Sequence, residues 1–367
     1  MRNKIKIITV VLFISVFIIL NSCQQQKAEW KGKIEEINGI TVVKNPKEPM
    51  YSEDVFGLEE ELSIGGGKDQ EEYIFSRIGH IAVDEDEKIY VRDQQEQHIK
   101  VFDKDGKYLM TIGRKGQGPG ELGSSGTISV NQNVLMAHEM RRLSFFSLDG
   151  KFLRRVLTRE IWALRARIDS KGNIVVEEGI LGPENVRQEI KKFDSNMNLI
   201  TEIASSPGID PRKPFNPFMP RAYWLIDKDD NIVYGYPQDY ELQIYNPEGR
   251  LIKKITKQYD PIEITEEEKK EEMKGAPPSI KFDFSKYRSA YNRFFLDDEG
   301  RIFVQTWEKK EDEEIYYHDV FDPEGKYIAK VSFKFRPQIW KKHKLYTIEE
   351  DEEGFQMVKR YKVTWRY

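Results

Sequence analysis

The sequence predicts an all-β fold: a six-bladed β-propeller of four-stranded antiparallel blades, with a short inserted helix. Three observations indicate it. Short apolar strands with period-2 alternation are separated by turns rich in Asp and Gly, this unit recurs along the chain, and its spacing is that of propeller blades. A single four-stranded sheet cannot bury both of its faces, so such units must pack against one another around an axis.

The composition excludes several classes of protein. The chain has 367 residues, of which 39% are hydrophobic and 33% charged, so it is neither a polytopic membrane protein nor disordered throughout. Its formal net charge of -4 shows no excess of basic residues, so we expect no nucleic-acid partner. The single cysteine excludes an intramolecular disulfide.

Residues 1–22 have the pattern of a signal peptide. Positively charged residues at positions 2, 4 and 6 precede an apolar run over 7–20, which is shorter than the roughly 20 residues of a permanent membrane-spanning helix. The next residues, Leu20-Asn21-Ser22-Cys23, resemble the lipobox of bacterial lipoproteins, a family in which the cysteine thiol receives a diacylglycerol. An uncleaved anchor, or a cleaved signal with an unmodified thiol, is the alternative.

The lipobox resemblance implies lipidation of Cys23 and anchoring of the exported chain to a membrane of the bacterial cell envelope. Gln24 after the cysteine resembles lipoproteins sorted to the outer membrane. We therefore expect residues 23–29 to be a tether and residues 30–367 to be the propeller.

The repeat is clearest at residues 78–112, where two hairpins are joined in sequence. The first turn of each unit supplies a marker residue, and the markers are Asp84, Asn131, Asp169, Asp227 and Asp297. They are 47, 38, 58 and 70 residues apart, and the shorter intervals match the roughly 40 to 50 residues of a blade. A sixth, degenerate copy begins at Lys344.

Two segments lie outside the repeat. Asn38-Gly39 between alternating runs predicts a hairpin before the first unit, and we expect part of residues 30–64 to add a strand to the terminal blade and so close the ring. An insertion at about 260–288 contains a capping box at Thr265 and Glu268, which predicts a solvated helix.

The region from Glu72 to Glu121 resembles an NHL-type repeat. The motifs are Ile99-Lys100-Val101-Phe102-Asp103, Asp105-Gly106-Lys107-Tyr108 and the glycine-rich run from Ile112 to Glu121. More closely, the chain resembles the bacterial six-bladed β-propeller lipoproteins, over nearly all of its mature length. This resemblance implies a shape and a location rather than a reaction.

Aligning the first strand of each unit on its marker gives a candidate site. Four residues before the marker stand His80, Thr127, Arg165, Tyr223 and Arg293, while the residues one and three before are mostly large and apolar. Because side chains alternate along a strand, this polar set shares one direction, which we expect to be the axial channel. Arg77, Arg167 and Arg221 lie near it in sequence. Such a set suits an anionic or polyhydroxylated ligand; the alternative is that these residues hydrate the channel or pair with acidic loops.

Other motifs provide less evidence of a functional site. The run Gly116–Gly120 lacks the strand and helix of a nucleotide-binding loop and is typical of an inter-blade loop. The acidic run 84–87 lacks the spaced ligands of a calcium loop, and no two histidines have metal-ligand spacing. The proline-rich loop 205–220 exposes Phe215, Phe218 and Met219 as a lid or contact patch. We expect no metal and no cofactor, and the sequence identifies no catalytic residue.

These observations predict a monomeric, membrane-anchored binding or scaffolding module whose ligand binds at the channel mouth. Its partners would be the membrane, through Cys23, and a small ligand or an envelope protein. One alternative is an enzyme, a lyase or lactonase-like hydrolase with a metal in the channel. Another is a structural subunit of an envelope complex.

Overall fold

The marker residue of each turn closes its own hairpin. The Asp84 carboxylate accepts the backbone N–H groups of Asp86 at 2.9 Å and Lys88 at 2.8 Å. The same two bonds, to the second and fourth residues after the acid, recur at Asp103, Asp169, Asp194, Asp227, Asp297 and Asp351. The residue between these donors takes a positive φ, as at Gly106 with 80°, and this explains the glycines of the repeat.

Removing the acid from one exposed turn tests this closure. We expect Asp103→Ala to lower the free energy of unfolding by about 1–2 kcal/mol, because two backbone N–H groups lose an ionised acceptor. Asp103→Asn should cost less, since Asn131 fills the equivalent position and accepts two backbone N–H groups. Urea unfolding measures both values, and equal losses in the two variants would contradict the role of the acceptor.

The computed structural model describes residues 29–51, 55–66, 70–131, 133–158, 160–310 and 315–367, and residues 31–367 form one compact unit. The predicted signal peptide and Cys23 lie outside the described residues. In the described chain, no helix has the length and apolar character needed to cross a membrane.

Six blades, each with four antiparallel strands, form the body of this unit, so the predicted six-bladed propeller is confirmed. The first strands approach one another around the axis and are Ile78–Val83, Thr127–Val130, Ala163–Ile168, Tyr223–Ile226, Arg293–Leu296 and Pro337–Lys341. The second strands are Ile89–Asp93, Val134–Glu139, Ile174–Leu181, Ile232–Gly235, Ile302–Lys309 and Lys344–Glu350. The third strands are His98–Phe102, Arg142–Ser147, Val186–Phe193, Glu241–Tyr245, Tyr316–Phe321 and Gln356–Trp365. The fourth strands are Tyr108–Ile112, Phe152–Leu157, Leu199–Pro207, Leu251–Lys257, Tyr327–Ser332 and Phe56–Gly65.

The last of these strands comes from the beginning of the chain and closes the ring. Phe56–Gly65 pairs antiparallel with Gln356–Trp365, from Phe56 opposite Trp365 to Gly65 opposite Met357. Ile64, which is fully buried, joins the hydrophobic cluster between the sixth and first blades. The strand thus completes the sixth blade and its contact with the first.

The Asn-Gly hairpin forms where the sequence predicts it, but it takes no part in this closure. Its strands, Lys33–Ile37 and Ile40–Asn45, turn through Asn38 and Gly39 at positive φ. The second strand pairs parallel with Leu251–Lys257, so the hairpin extends the fourth blade to six strands. Part of residues 30–64 does close the ring, as expected, but through Phe56–Gly65 rather than the Asn-Gly hairpin, because local alternation specifies a hairpin but not the sheet edge that it joins.

The sixth blade begins earlier than the sequence indicates. Its first strand is Pro337–Lys341, and Lys344 starts the second strand rather than the first. The turn between them is the pair Lys342 and His343, both at positive φ, which is the geometry of a two-residue hairpin turn usually made by Asn-Gly. Without the usual turn residues, the hairpin carries no sequence marker.

The core consists of six hydrophobic clusters, which fill the spaces between neighbouring blades of the described chain. Between the first and second blades, for example, Tyr90 and Ile99 pack against Leu135 and Phe146, all of them 0–1% exposed. The core is thus a ring of blade-to-blade contacts around the axis, where the first strands lie.

The long connection between the fourth and fifth blades contains the predicted helix, Glu266–Met273, and both bonds of its capping box are formed. It also packs against the loop 205–220. The Phe215 N–H donates to the Lys281 carbonyl at 2.7 Å, and the Phe215 ring meets Phe282 edge-on. Phe215, Phe218 and Met219 are half-buried rather than exposed, because the insertion covers them.

Candidate functional site

All six blades contribute to one cavity at the end of the channel where the first strands finish. Its volume is about 320 Å³, and its rim includes one residue from each blade in turn: Glu85, Asn131, Asp169, Asp227, Asp297 and Lys341. Four of these are acids because the hairpin turns surround the opening: three are marker carboxylates, and Glu85 follows the marker Asp84. The rim is therefore polar because it consists largely of the turn residues that close the hairpins.

Several rim carboxylates are neutralised by neighbouring cations. Asp169 pairs with buried Lys192 at 2.9 Å, and Asp297 pairs with Arg301 at 2.7 Å. Lys341 of the sixth blade pairs with Glu85. These ion pairs hold turns of the same or adjacent blades together and explain most of the acidic rim without a ligand.

Arg167 lies inside the cavity without such a partner. It is half-buried, and within the described residues its guanidinium has neither a hydrogen bond nor an ion pair. Burial lowers the pKa of Arg167, and the positive charge of Arg165 lowers it further, against an opposing effect of Tyr223. An unpaired guanidinium in a restricted space is electrostatically costly, and a bound anion would remove that cost.

Arg165, two residues earlier on the same strand, differs from Arg167. Its Nε lies 2.5 Å from the Glu177 carboxylate, which also accepts the indole N–H of Trp224 at 3.0 Å. The guanidinium also lies over the Tyr223 ring, 4.8 Å from its centroid. Arg165 is therefore satisfied within the protein.

The channel next to Arg167 carries further positive charge. Burial lowers the pKa of His80 to about 3, and the charges of Arg167 and Arg336 add to this, so the imidazole is neutral at physiological pH. Its Nδ1 is buried without a hydrogen-bond partner. Burial also lowers the pKa of Arg293, with Arg336 contributing, and the Arg293 Nε donates to Gln305 at 2.9 Å.

The structure thus brings together a subset of the predicted residues. His80, Arg165, Arg167, Tyr223 and Arg293 lie within electrostatic reach of one another or of Arg336. Of this subset only Arg167 lines the cavity. Thr127 is half-buried opposite His138, away from the cavity, and Arg77 and Arg221 are exposed and also do not line it.

Sequence reasoning missed Arg336, which lies immediately before the first strand of the sixth blade. Its exposed side chain acts on both His80 and Arg293. In the sequence, Arg336 and Pro337 begin a short alternating run that indicates a strand. The strand was not recognised because the turn after it, at residues 342–343, lacks the usual turn residues.

The other motifs have structural roles. In the Gly116–Gly120 loop, the Gly118 N–H donates at 2.7 Å to the Glu121 carboxylate, which occupies the position that an external anion would take. Arg155 donates to the carbonyls of Gln117, Gly118 and Glu121 and fixes the loop against the second blade. Among the described residues, no group of three or more His, Cys, Asp or Glu side chains is arranged to hold a metal ion.

Comparison with known proteins agrees with this architecture. The model of the DUF5128 family, described as a 6-bladed beta-propeller, matches residues 68–357. The chain belongs to this family. No curated protein matches the propeller's sequence.

Two solved structures show the same fold at low sequence identity, and a third is less similar. A Bacteroides fragilis protein that carries the name of an exported protein is 12% identical, with a TM-score of 0.59 over 89% of the propeller chain and 100% of its own. A DUF4221-family protein from Bacteroides vulgatus is 12% identical, with a TM-score of 0.51 over 86% and 100% of the two chains. A gluconolactonase from Xanthomonas campestris is 9% identical, with a TM-score of 0.45 over 83% and 98%. Likeness at this level extends to the fold alone.

Proposed function

We propose that this propeller is a non-enzymatic binding module that takes an anionic ligand in its axial channel, with Arg167 as the principal contact. The observation that carries the proposal is the guanidinium of Arg167, which has no partner among the described residues and lines a cavity of about 320 Å³. Pockets of small ligands start at about 300 Å³, so the cavity has room for a small molecule.

The positive charges near Arg167 support an anion at that residue, whereas the rim of the same cavity is largely acidic. Arg165 acts on Arg167, and Arg336 acts on Arg293 and His80. His80 stays neutral because it is buried, with the charges of Arg167 and Arg336 adding to the effect. Guanidinium groups bind carboxylates and phosphates through paired, charge-assisted hydrogen bonds. The ring of first strands holds these side chains on rigid elements, which favours recognition without a large change of shape.

The proposal includes an envelope location, with lipidated Cys23 holding the propeller on a membrane. The sequence Leu20-Asn21-Ser22-Cys23 after an apolar run supports lipidation, and Gln24 supports sorting to the outer membrane. The name of the similar Bacteroides fragilis protein supports export. Metabolic labelling with a palmitate analogue, compared with Cys23→Ser, tests the anchor.

Replacing Arg167 tests the site. We expect phosphate, citrate, gluconate or triglycine to raise the melting temperature of the soluble chain from residue 29 onward, since ligands that bind only the native state stabilise it. In Arg167→Gln, the affinity of whichever probe binds should fall at least tenfold, about 1.4 kcal/mol. Arg250→Gln, at an exposed turn on the outer part of the fourth blade, is the matched control.

The same variant should be more stable than the parent protein without ligand, by about 1 kcal/mol, because it removes an unpaired, partly buried cation. A probe that binds Arg167→Gln as tightly as the parent protein contradicts the proposal. So does a failure of all four probes to bind.

A further inference from the structure

We propose that the ligand is dipolar: a short peptide zwitterion whose carboxylate meets Arg167 and whose ammonium group meets Asp227 at the rim. This inference rests on the proposed function and adds the second end of the ligand. It follows from two opposite charges, Arg167 and Asp227, that line one cavity and that form no ion pair within the described residues.

Asp227 differs from the two other marker acids on the rim, Asp169 and Asp297. Its carboxylate accepts the N–H groups of Asp229 at 2.8 Å and Asn231 at 2.9 Å, and the Asn231 side-chain amide at 2.9 Å, all within its own turn. Within the part of the chain that the structure describes, it has no ion pair, whereas Asp169 and Asp297 have theirs. Burial raises the pKa of Asp227, and the neighbouring Asp229 charge adds to this, so a cation at this position would stabilise the ionised form.

A second acid extends this negative part of the rim. Asp230, which is 7% exposed, accepts the N–H of Ser170 at 2.9 Å and its hydroxyl at 2.6 Å. These bonds tie the turn of the fourth blade to that of the third, and they involve neutral donors only. The rim between the third and fourth blades therefore carries negative charge beside the strand that holds Arg167.

No ion pair joins Arg167 and Asp227 among the described residues. After burial, the groups that act on the Arg167 pKa are Tyr223 and Arg165, and no carboxylate is among them. Arg167 stands two residues before its marker, while Asp227 is itself a marker on the adjacent blade, so a strand rise of about 3.3 Å per residue offsets them by about 7 Å along the channel.

This offset selects the length of the ligand. The two charges of a single α-amino acid are too close together to reach both groups. A chain of two or three residues spans about 7–10 Å when extended. The inference therefore points to a di- or tripeptide with both ends free, lying along the axis with its carboxyl end inward.

The test uses three peptides that differ only in their terminal charges: triglycine, N-acetyl-triglycine and triglycine amide. Titration calorimetry with the soluble chain should show triglycine binding at least tenfold more tightly than either capped form. Asp227→Asn should bind triglycine and N-acetyl-triglycine equally, and Arg167→Gln should bind triglycine and its amide equally. Each variant then loses sensitivity to one end of the ligand only, an effect that general destabilisation would not produce.

The chain provides matched controls. Asp227→Asn keeps the turn, because Asn131 and Asn246 accept backbone N–H groups at equivalent positions. Asp194→Asn makes the same change in an outer turn of the third blade, where Asp194 accepts the same three bonds at 2.8, 2.9 and 2.8 Å. It should bind all three peptides as the parent protein does.

The outcomes separate this inference from the proposed function. The dipolar ligand is overturned if triglycine and N-acetyl-triglycine bind equally, or if only a simple anion binds. If binding in either case still depends on Arg167, the anion site stands. If binding of every probe is indifferent to Arg167, the proposed function itself fails.

Discussion

A chain that begins at residue 70 is expected to lose the cooperative unfolding transition of the longer protein. It lacks Phe56–Gly65, so the third strand of the sixth blade is left with an unpaired edge along its whole length. The truncation also removes buried Val55 and Ile64 from two inter-blade clusters. Burial of each such side chain contributes about 1.5–3 kcal/mol to the free energy of unfolding. Together with the lost ladder, this approaches the 5–15 kcal/mol margin of a typical domain.

Thermal unfolding followed by circular dichroism measures the effect. A chain that begins at residue 40 is the control: it loses the strand Lys33–Ile37, whose side chains are largely exposed, and should melt within a few degrees of the chain from residue 29. A synthetic peptide of residues 55–66 added to the shorter chain should restore the transition. A sharp transition in that chain without the peptide would show that the closing strand is dispensable.

Asp319→Ala is expected to lower the free energy of unfolding by about 3–5 kcal/mol, the cost of leaving a buried charge without its partner. Asp319 is fully buried between the fourth and fifth blades and accepts the hydroxyls of Tyr240 at 2.5 Å and Tyr327 at 2.6 Å. Buried Lys257 lies 3.2 Å from the same carboxylate. The substitution leaves the Lys257 ammonium group and the hydroxyls of Tyr240 and Tyr327 buried without their shared carboxylate.

A second substitution distinguishes charge from packing. Lys257→Met in the Asp319→Ala background removes the stranded cation and should recover at least 1 kcal/mol in urea unfolding. The exposed pair of Lys274 and Glu271 provides the comparison, since breaking it through Glu271→Ala should cost well under 1 kcal/mol. A loss below 1 kcal/mol in Asp319→Ala would mean that water reaches Lys257 and replaces the carboxylate.

The repeat could be predicted because its turns act locally. Each marker aspartate accepts the N–H groups two and four residues ahead, and Asn131 those two and three ahead, so the whole interaction lies within a few residues of sequence and leaves a recognisable pattern. Six such units, each with an apolar alternating strand, specify the propeller. The sixth unit was misplaced for the same reason, because the turn at Lys342 and His343 has the backbone of a tight hairpin without its usual residues.

The closing strand was harder to locate because its partner lies about 300 residues away. Phe56–Gly65 contains Glu59, Glu60 and Glu61 in succession, which breaks the alternation of a strand, and a register shift at Arg360 and Tyr361 accommodates the break. The Asn38-Gly39 hairpin had the stronger local pattern. Strength of local pattern does not decide which edge a strand joins.

The marker alignment placed the site two positions before Arg167, the arginine that lines the cavity. Alignment on the markers selects Arg165, but hairpin register places Arg165 opposite Glu177 and Arg167 opposite Val175. One arginine therefore meets an acid on the next strand and the other does not. Counting back across the turn at Asp169 would have distinguished them, whereas the influence of Arg336 required knowledge of the ring.

The long-range pairing of Phe56–Gly65 with Gln356–Trp365 also bears on how the molecule matures. Contacts between distant parts of a chain form slowly, because loop-closure entropy is lost before they reward it. During synthesis, Phe56–Gly65 stays unpaired until Gln356–Trp365 has been made. Until the two strands pair, the ring of blades is open and has unpaired strand edges that can bind other chains. A chaperone would be most needed in this interval.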